Sequence, residues 1–325
     1  MSAPAIVAVP RGVPRAARTH LRLLVNPRAS RLREGDAALV ARILQARFAL
    51  STAYTAAGGH ATELAREAAR DGYDLVAVLG GDGVVSEAAG GLVGSPTPLA
   101  CLPAGVTNVF ARAIGMPRTP LAAAAALNRL AATGLPATRR VDVGTVNGRH
   151  FLYTAGVGFS AAMTAAADRV PGRKARLGQL AFVGAAATEI AGRYLREPPR
   201  MRVRAPGFDE EGVTVMAQNC HALTYFGPRA IALSGAAGLD TGGLALTVLR
   251  RSRPRDVAGV VARLLAGRPD AVAGHPQIAA GPLVPTATVT SVSREPLPLE
   301  ADGEFLGAFQ RIEFGVRPSS LTVIG

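Results

Sequence analysis

One stretch limits what this chain can fold into more than any other: Leu75-Val76-Ala77-Val78-Leu79-Gly80-Gly81-Asp82-Gly83-Val84-Val85-Ser86-Glu87. Five consecutive apolar residues predict a strand buried on both faces. They run into Gly80-Gly81-Asp82-Gly83, and Val84-Val85-Ser86-Glu87 read as the start of a helix. In parallel α/β sheets a strand, a glycine turn and a helix N-terminus make an anion site, because bare backbone and free N–H groups face the ligand. Asp82 puts a carboxylate inside that turn. A carboxylate repels phosphate unless a metal ion or a proton transfer explains it, so the turn implies an Mg-nucleotide site. Its bland alternative is a helix-capping aspartate.

The surrounding pattern agrees. Leu21–Val25 reads as a short strand ended by Asn26-Pro27, and Asp36–Leu50 carries apolar positions at helical spacing. Ala49–Thr55 reads as a strand and Ala61–Arg70 as a helix. Pro98–Leu102 is another apolar strand, ending in Pro103-Ala104-Gly105, with a helix predicted over Thr107–Ile114. Alternating strand, turn and helix imply a parallel, doubly wound sheet, whose successive βα turns share one edge and can face one ligand. From Val141 the pattern changes to short strands, beginning with a hairpin at Asn147-Gly148, and implies a β-rich, antiparallel second domain. A helical stretch, about Ala161–Tyr194, interrupts it. The expected division is a basic arm over 1–19, read as disordered, an α/β nucleotide domain over 20–140, and a β-rich domain over 141–315. The last strand, 316–325, is expected to return to the first domain.

Composition removes several classes. The chain of 325 residues carries a formal net charge of +13, nearly all its basic residues being arginine, which favours anionic partners. Basic residues are not interleaved with aromatics, which argues against a nucleic-acid platform. Cys101 and Cys220 stand alone and the five histidines are scattered, so neither a disulfide framework nor a zinc centre is indicated. A cytoplasmic setting is the default for such a chain. No apolar run is long enough for a transmembrane helix. There is no Gly-x-x-x-x-Gly-Lys-Ser/Thr loop and no Gly-x-Ser-x-Gly elbow.

The opening stretch, taken with Leu102-Pro103-Ala104-Gly105-Val106-Thr107-Asn108-Val109-Phe110-Ala111-Arg112, resembles the bacterial diacylglycerol kinase family, to which sphingosine and ceramide kinases are related. The resemblance extends along almost the whole chain: Asn26-Pro27, Thr55 ahead of Gly59-His60-Ala61, Gly156-Val157-Gly158-Phe159, Leu239-Asp240-Thr241-Gly242 and Asp302-Gly303-Glu304. It implies an ATP-dependent lipid kinase, peripheral at an anionic membrane surface, with diacylglycerol or a related lipid alcohol as acceptor. The nucleotide would sit against Thr55, Gly80, Gly81, Asp82, Gly83, Val84 and Asn108. Asp82 would meet Mg²⁺ on the ATP, and Glu304 would take the proton of the attacking hydroxyl.

Four positions depart from the family pattern. Val84 and Val106 stand where the family has Thr or Ser, Val109 replaces an Asp, and Thr241 replaces an Asp of a structural metal site. A hydrogen bond to a charged group contributes roughly 1.5–3 kcal/mol, so each lost hydroxyl would weaken ATP handling by about 10–100-fold. The alternatives are a weakened or non-catalytic lipid- or nucleotide-binding relative and, on the first motif alone, an NAD kinase. The acceptor lipid and the oligomeric state, a homodimer included, stay open at this level.

Overall fold

The computed structural model describes residues 18–132, 138–168, 194, 197–267, 269–293 and 295–325. The basic arm therefore lies almost wholly outside the described residues, as does most of the helical stretch expected after Asp168. The N-terminal half runs β1 (His20–Val25), α1 (Asp36–Gln45), β2 (Ala49–Tyr54), α2 (His60–Arg70), β3 (Leu75–Gly80), α3 (Asp82–Leu92), β4 (Leu99–Pro103), α4 (Val109–Ala113) and α5 (Pro120–Ala132). β2, β1, β3 and β4 pair in that order, all parallel. β3 and β4 are buried along their whole length, which is why they read as continuous apolar runs rather than alternating ones.

Short antiparallel strands dominate the remainder. β5 (Thr138–Val146) and β6 (Arg149–Phe151) form the expected hairpin, with Asn147 and Gly148 both at positive φ. β7 (Thr154–Val157) leads into α6 (Phe159–Asp168). After β8 (Met201–Ala205), β9 (Phe208–Gly212), β10 (Thr214–Gln218), β11 (Thr224–Phe226), β12 (Arg229–Ile231) and β13 (Leu244–Leu249) come two helices, α7 (Pro254–Ala266) and α8 (Pro269–Ala273). β14 (Ile278–Val284), β15 (Thr286–Ser291), β16 (Leu297–Ala301), β17 (Glu304–Phe309) and β18 (Arg311–Ile324) close the chain.

β18 ties the two halves together. Its first residues pair antiparallel with β15, most of its length pairs with β5, and Val323 pairs parallel with Leu99 of β4. The segment expected to return to the first half is thus continuous with the strand before it. The sheet runs on from β4 through β18 to β15, β8 and β9. A second sheet, β14-β13-β10-β7-β16-β17, packs one face on this extension, with Val157, Val215, Leu246 and Leu299 meeting Val203, Val289 and Phe314. Its other face turns toward α7, where Met216, Val260 and Ile278 form a smaller cluster.

Candidate active site

The two glycine turns touch each other. A Cβ built on Gly81 would lie 3.1 Å from the Gly105 Cα, and the Ala104 N–H bonds the Gly80 carbonyl at 2.8 Å. Backbone this close leaves room for no side chain at either glycine. Gly80 is equally confined, because its missing Cβ would run into Val84 Cγ1. α3 then begins at Asp82 with Gly81 as its N-cap and no side-chain cap, so first-turn N–H groups lack an intrahelical acceptor.

Asp82 caps a helix, but not its own. Its Oδ2 accepts from Thr107 Oγ1 at 2.8 Å, and its Oδ1 accepts from the Phe110 N–H at 3.4 Å, in the first turn of α4. Burial raises its pKa, against the Thr107 hydroxyl and the α4 amides. The Thr107 hydroxyl, adjacent to Val106, is therefore committed to Asp82. Asn108 turns inward: its Oδ1 accepts from the Gly105 N–H and its Nδ2 donates to the Gly105 carbonyl, both at 2.8 Å, with the residue itself at φ 49°. It fixes the second glycine turn and is buried.

A polar cleft of about 390 Å³ opens beside these turns, lined by Thr55, Gly83, Val84, Glu87, Gly303 and Glu304 among others. Thr55, Gly83, Val84 and Glu304, expected from the sequence, thus share one wall, although they span the chain. Asp82 and Asn108 shape the turns from behind it. Val106 is half exposed and faces a separate recess with Arg31, Arg112 and Arg118. The two valines therefore sit in different surroundings, and Val84 alone lines the cleft. Glu304 is exposed and pairs loosely with Arg149 at 3.5 Å.

Asp302 is the anchor of the turn that carries Glu304. It is buried at φ 49°, and its carboxylate accepts from Ser86 Oγ (2.6 Å) and from the N–H groups of Leu152 (2.7 Å), Tyr153 (3.0 Å) and Thr154 (3.2 Å). Burial pushes it up to about 6, against these donors. Sequence reasoning placed Asp302 in a motif but gave it no role, because its partners lie at 86 and 152–154. Glu300 was missed altogether. It is buried, accepts from the Gly303 N–H at 3.1 Å, and burial pushes its carboxyl up to about 8.

On the far side of Gly303 lies an apolar cavity of about 600 Å³, bounded by α6, α7 and the second sheet, with Phe159, Met163, Met216, Leu233, Val260 and Leu264 in its wall. Gly303 lines both this cavity and the polar cleft.

No group of three or more His, Cys, Asp or Glu side chains among the described residues is placed to hold an ion. At the Leu239–Gly242 segment, Thr241 Oγ1 donates to the backbone carbonyls of Gly238 or Gly243. The Asp142 carboxylate accepts from the N–H groups of Gly242 (2.6 Å) and Ser319 (2.7 Å). The Thr241 hydroxyl and the Asp142 carboxylate are thus committed to backbone hydrogen bonds at this segment. Among the described residues no helix is long and apolar enough to cross a membrane.

A glycine-turn cleft and an apolar cavity thus meet at one hairpin of a two-part α/β protein. Residues 20–146 match the model of the diacylglycerol kinase catalytic domain. The chain is 31% identical over 267 residues to the "Probable lipid kinase YegS-like" of Pseudomonas aeruginosa, covering 82% of this chain and 81% of that one. It is 37% identical over 169 residues to the diacylglycerol kinase of Bacillus subtilis, covering 50% of this chain and 52% of that one. The crystal structure of a diacylglycerol kinase from Bacillus anthracis str. Sterne shares the fold, with a TM-score of 0.65 at 21% identity over 94% of this chain and 97% of that one. The chain belongs to the diacylglycerol kinase catalytic-domain family of lipid kinases.

Proposed function

We propose that this protein transfers the γ-phosphate of ATP to the hydroxyl of diacylglycerol or a related lipid alcohol. The observation that carries the reading is the double exposure of Gly303, one side to the polar cleft and the other to the apolar cavity. A lipid alcohol with its chains in the cavity brings its hydroxyl to the 302–304 turn, beside the free N–H groups that start α3.

In the step proposed, the lipid hydroxyl oxygen attacks the γ-phosphorus and its proton passes to the Glu304 carboxylate. The bond from the γ-phosphorus to the bridging oxygen breaks, and ADP leaves with that electron pair. The α3 amides and Gly80–Gly83 backbone bind the phosphates, so the chain supplies position and charge rather than covalent chemistry. A magnesium ion carried on the nucleotide would neutralise phosphate charge, with Asp82 as the nearby carboxylate. Arg149 lies beside Glu304, its nearest guanidinium nitrogen 3.5 Å from the carboxylate. A peripheral membrane location is part of the reading, since the acceptor resides in a bilayer and the chain is strongly basic.

The test is transfer of labelled γ-phosphate to a panel of lipid alcohols in mixed micelles with ATP and Mg²⁺. Transfer to diacylglycerol or another panel member is expected, and none by correctly folded protein would sink the reading. A second reading, a catalytically weakened relative, is favoured by Val84, which presents methyl groups to the cleft while the Thr107 hydroxyl is held by Asp82.

A further inference from the structure

The second sheet carries one row of side chains toward the cavity. Thr247 of β13 pairs with Met216 of β10, Met216 with Gly156 of β7, and Gly156 with Glu300 of β16. Their sequence neighbours Leu246, Val215, Ala155 and Leu299 point into the core between the sheets, so this row faces the other way, as strand alternation requires.

The row is not the plain hydrocarbon wall that an acyl chain alone would need. Over bare Gly156 three polar or polarisable atoms converge. A Cβ there would collide with Ser160 Oγ from α6 and lie 2.6 Å from Glu300 Oε1 and 2.7 Å from Met216 Sδ. Ser160 Oγ is buried, with the Glu300 carboxyl as its polar neighbour and no partner of good geometry. Thr247 Oγ1, further along the row, is likewise buried without a partner. Glu300, Ser160 and Thr247 all line the cavity. A buried polar atom left unpaired costs about 1–3 kcal/mol, and native proteins rarely carry such atoms without a reason.

The position of Glu300 sets what it can meet. Its carboxyl reaches the Gly303 N–H, so it lies directly under the turn that holds Asp302 and Glu304, on the cavity side. Burial first, and then the Asp302 charge, push the Glu300 carboxyl up to about 8, while the Gly303 N–H and the nearness of the Ser160 hydroxyl oppose the rise. At neutral pH it is an acid with an O–H to donate, and Ser160 supplies a second O–H. Two donors on the cavity side of the 302–304 turn complement an acceptor oxygen.

We propose that Glu300 and Ser160 form a specificity subsite that receives the ester carbonyl next to the reacting hydroxyl of the acceptor lipid. The inference rests on the lipid-acceptor reading above and narrows it to acyl esters over alkyl ethers. A site built to hydrogen-bond a substrate group discriminates strongly against the analogue that lacks it, because its buried donors are then left unpaired.

The experiment compares 1,2-dioleoylglycerol with its dialkyl ether analogue, 1,2-di-O-oleylglycerol, both radiolabelled, in nonionic micelles. Binding is measured by equilibrium partition and, in parallel, γ-phosphate transfer is followed. The wild type should bind the ester about 10-fold more tightly than the ether. Ser160→Ala, which removes one hydroxyl and should fold normally, should cut that preference about threefold. Glu300→Leu combined with Ser160→Ala should bring the two lipids within twofold of each other. Glu300→Gln keeps a donor and an acceptor for the Gly303 N–H and should retain the preference, which separates recognition from support of the turn. Equal or undetectable wild-type binding of the two lipids, or an unchanged preference in Ser160→Ala, overturns the subsite. If the binding preference holds while label reaches neither lipid, the kinase reading fails and the subsite stands.

Discussion

Ser86 Oγ donates a 2.6 Å hydrogen bond to Asp302 Oδ2, joining the helix that follows the glycine motif to the hairpin that carries Glu304. The two residues are 216 positions apart. The same carboxylate collects N–H groups from Leu152, Tyr153 and Thr154, so one side chain fixes the relation between the phosphate-facing helix, β7 and the β16–β17 turn. The two walls of the cleft are therefore tied by a buried carboxylate as well as by the apolar packing of Leu152 and Tyr153 on the core of the α/β half.

Ser86→Ala should destabilise the chain by about 1–3 kcal/mol, since it removes a hydrogen bond to a buried carboxylate. The loss should appear as a lower urea midpoint with an unchanged m-value. Asp302→Asn should cost more, because an amide offers one acceptor oxygen where a carboxylate offers two, and its NH₂ would face N–H donors. A midpoint unchanged in both variants would show that the bond contributes nothing.

Glu304→Gln should behave in the opposite way. The side chain is exposed and its ion pair with Arg149 is long, so stability should stay within about 0.5 kcal/mol of wild type. Phosphoryl transfer should fall by about 10²–10⁴-fold, the usual contribution of a positioned base. Single-turnover transfer to a lipid alcohol measures it, and unchanged turnover would remove Glu304 from the chemistry.

Val84→Thr tests the departure inside the glycine motif. Val84 is buried against Gly80 and lines the cleft, and threonine has nearly the same shape. The new hydroxyl should raise kcat/KM for ATP about 10-fold. Val106→Thr should change it by less than about twofold, because Val106 faces the arginine recess instead. Equal gains at both positions would refute the separation the fold makes between them.

The α/β half was legible in the sequence because β3 and β4 are buried on both faces, and strands of that kind announce themselves as unbroken apolar runs ended by glycine. The family resemblance then carried Thr55, Gly83, Val84 and Glu304 to one cleft. What stayed hidden depended on contacts between distant residues. Asp82 reads as a phosphate-facing or helix-capping residue, yet the helix it caps is α4, because the two glycine turns lie back to back. Asp302 looks like part of an ordinary Asp-Gly turn until the amides of 152–154 close on it. Glu300 gave no signal, since an acidic residue in a short alternating strand reads as solvent-facing. Here its outward face is covered by α6.

Thr241 gives a prediction about metal. Asp142 bonds the Gly242 and Ser319 amides and so ties the Leu239–Gly242 segment to the chain end without an ion. A chelator should leave the melting temperature of nucleotide-free protein unchanged within about 1 °C, whereas loss of a structural ion would lower it by its binding free energy. Thr241→Asp should create a melting temperature that rises with added Mg²⁺. A chelator-sensitive wild type would contradict the hydrogen-bonded closure.

Glu300 predicts the direction of the pH dependence of stability. Its ordinary value is 4.5, and burial lifts it to about 8 in the folded chain. Between those values the unfolded chain has released a proton that the folded one keeps, so stability falls as pH rises, by about 1.4 kcal/mol per unit for a full proton, and levels off above about 8. Asp302 acts in the same direction over a lower window, from 3.8 to about 6. Glu300→Gln cannot ionise and keeps an acceptor for the Gly303 N–H. Relative to wild type it should therefore gain stability from about pH 5 to about pH 8 and then level off, while the Asp302 contribution, common to both proteins, cancels. Urea midpoints of the two proteins at those pH values measure the difference. A constant offset across the range would mean that Glu300 is already ionised in the folded protein and that the cavity wall beside it is wet.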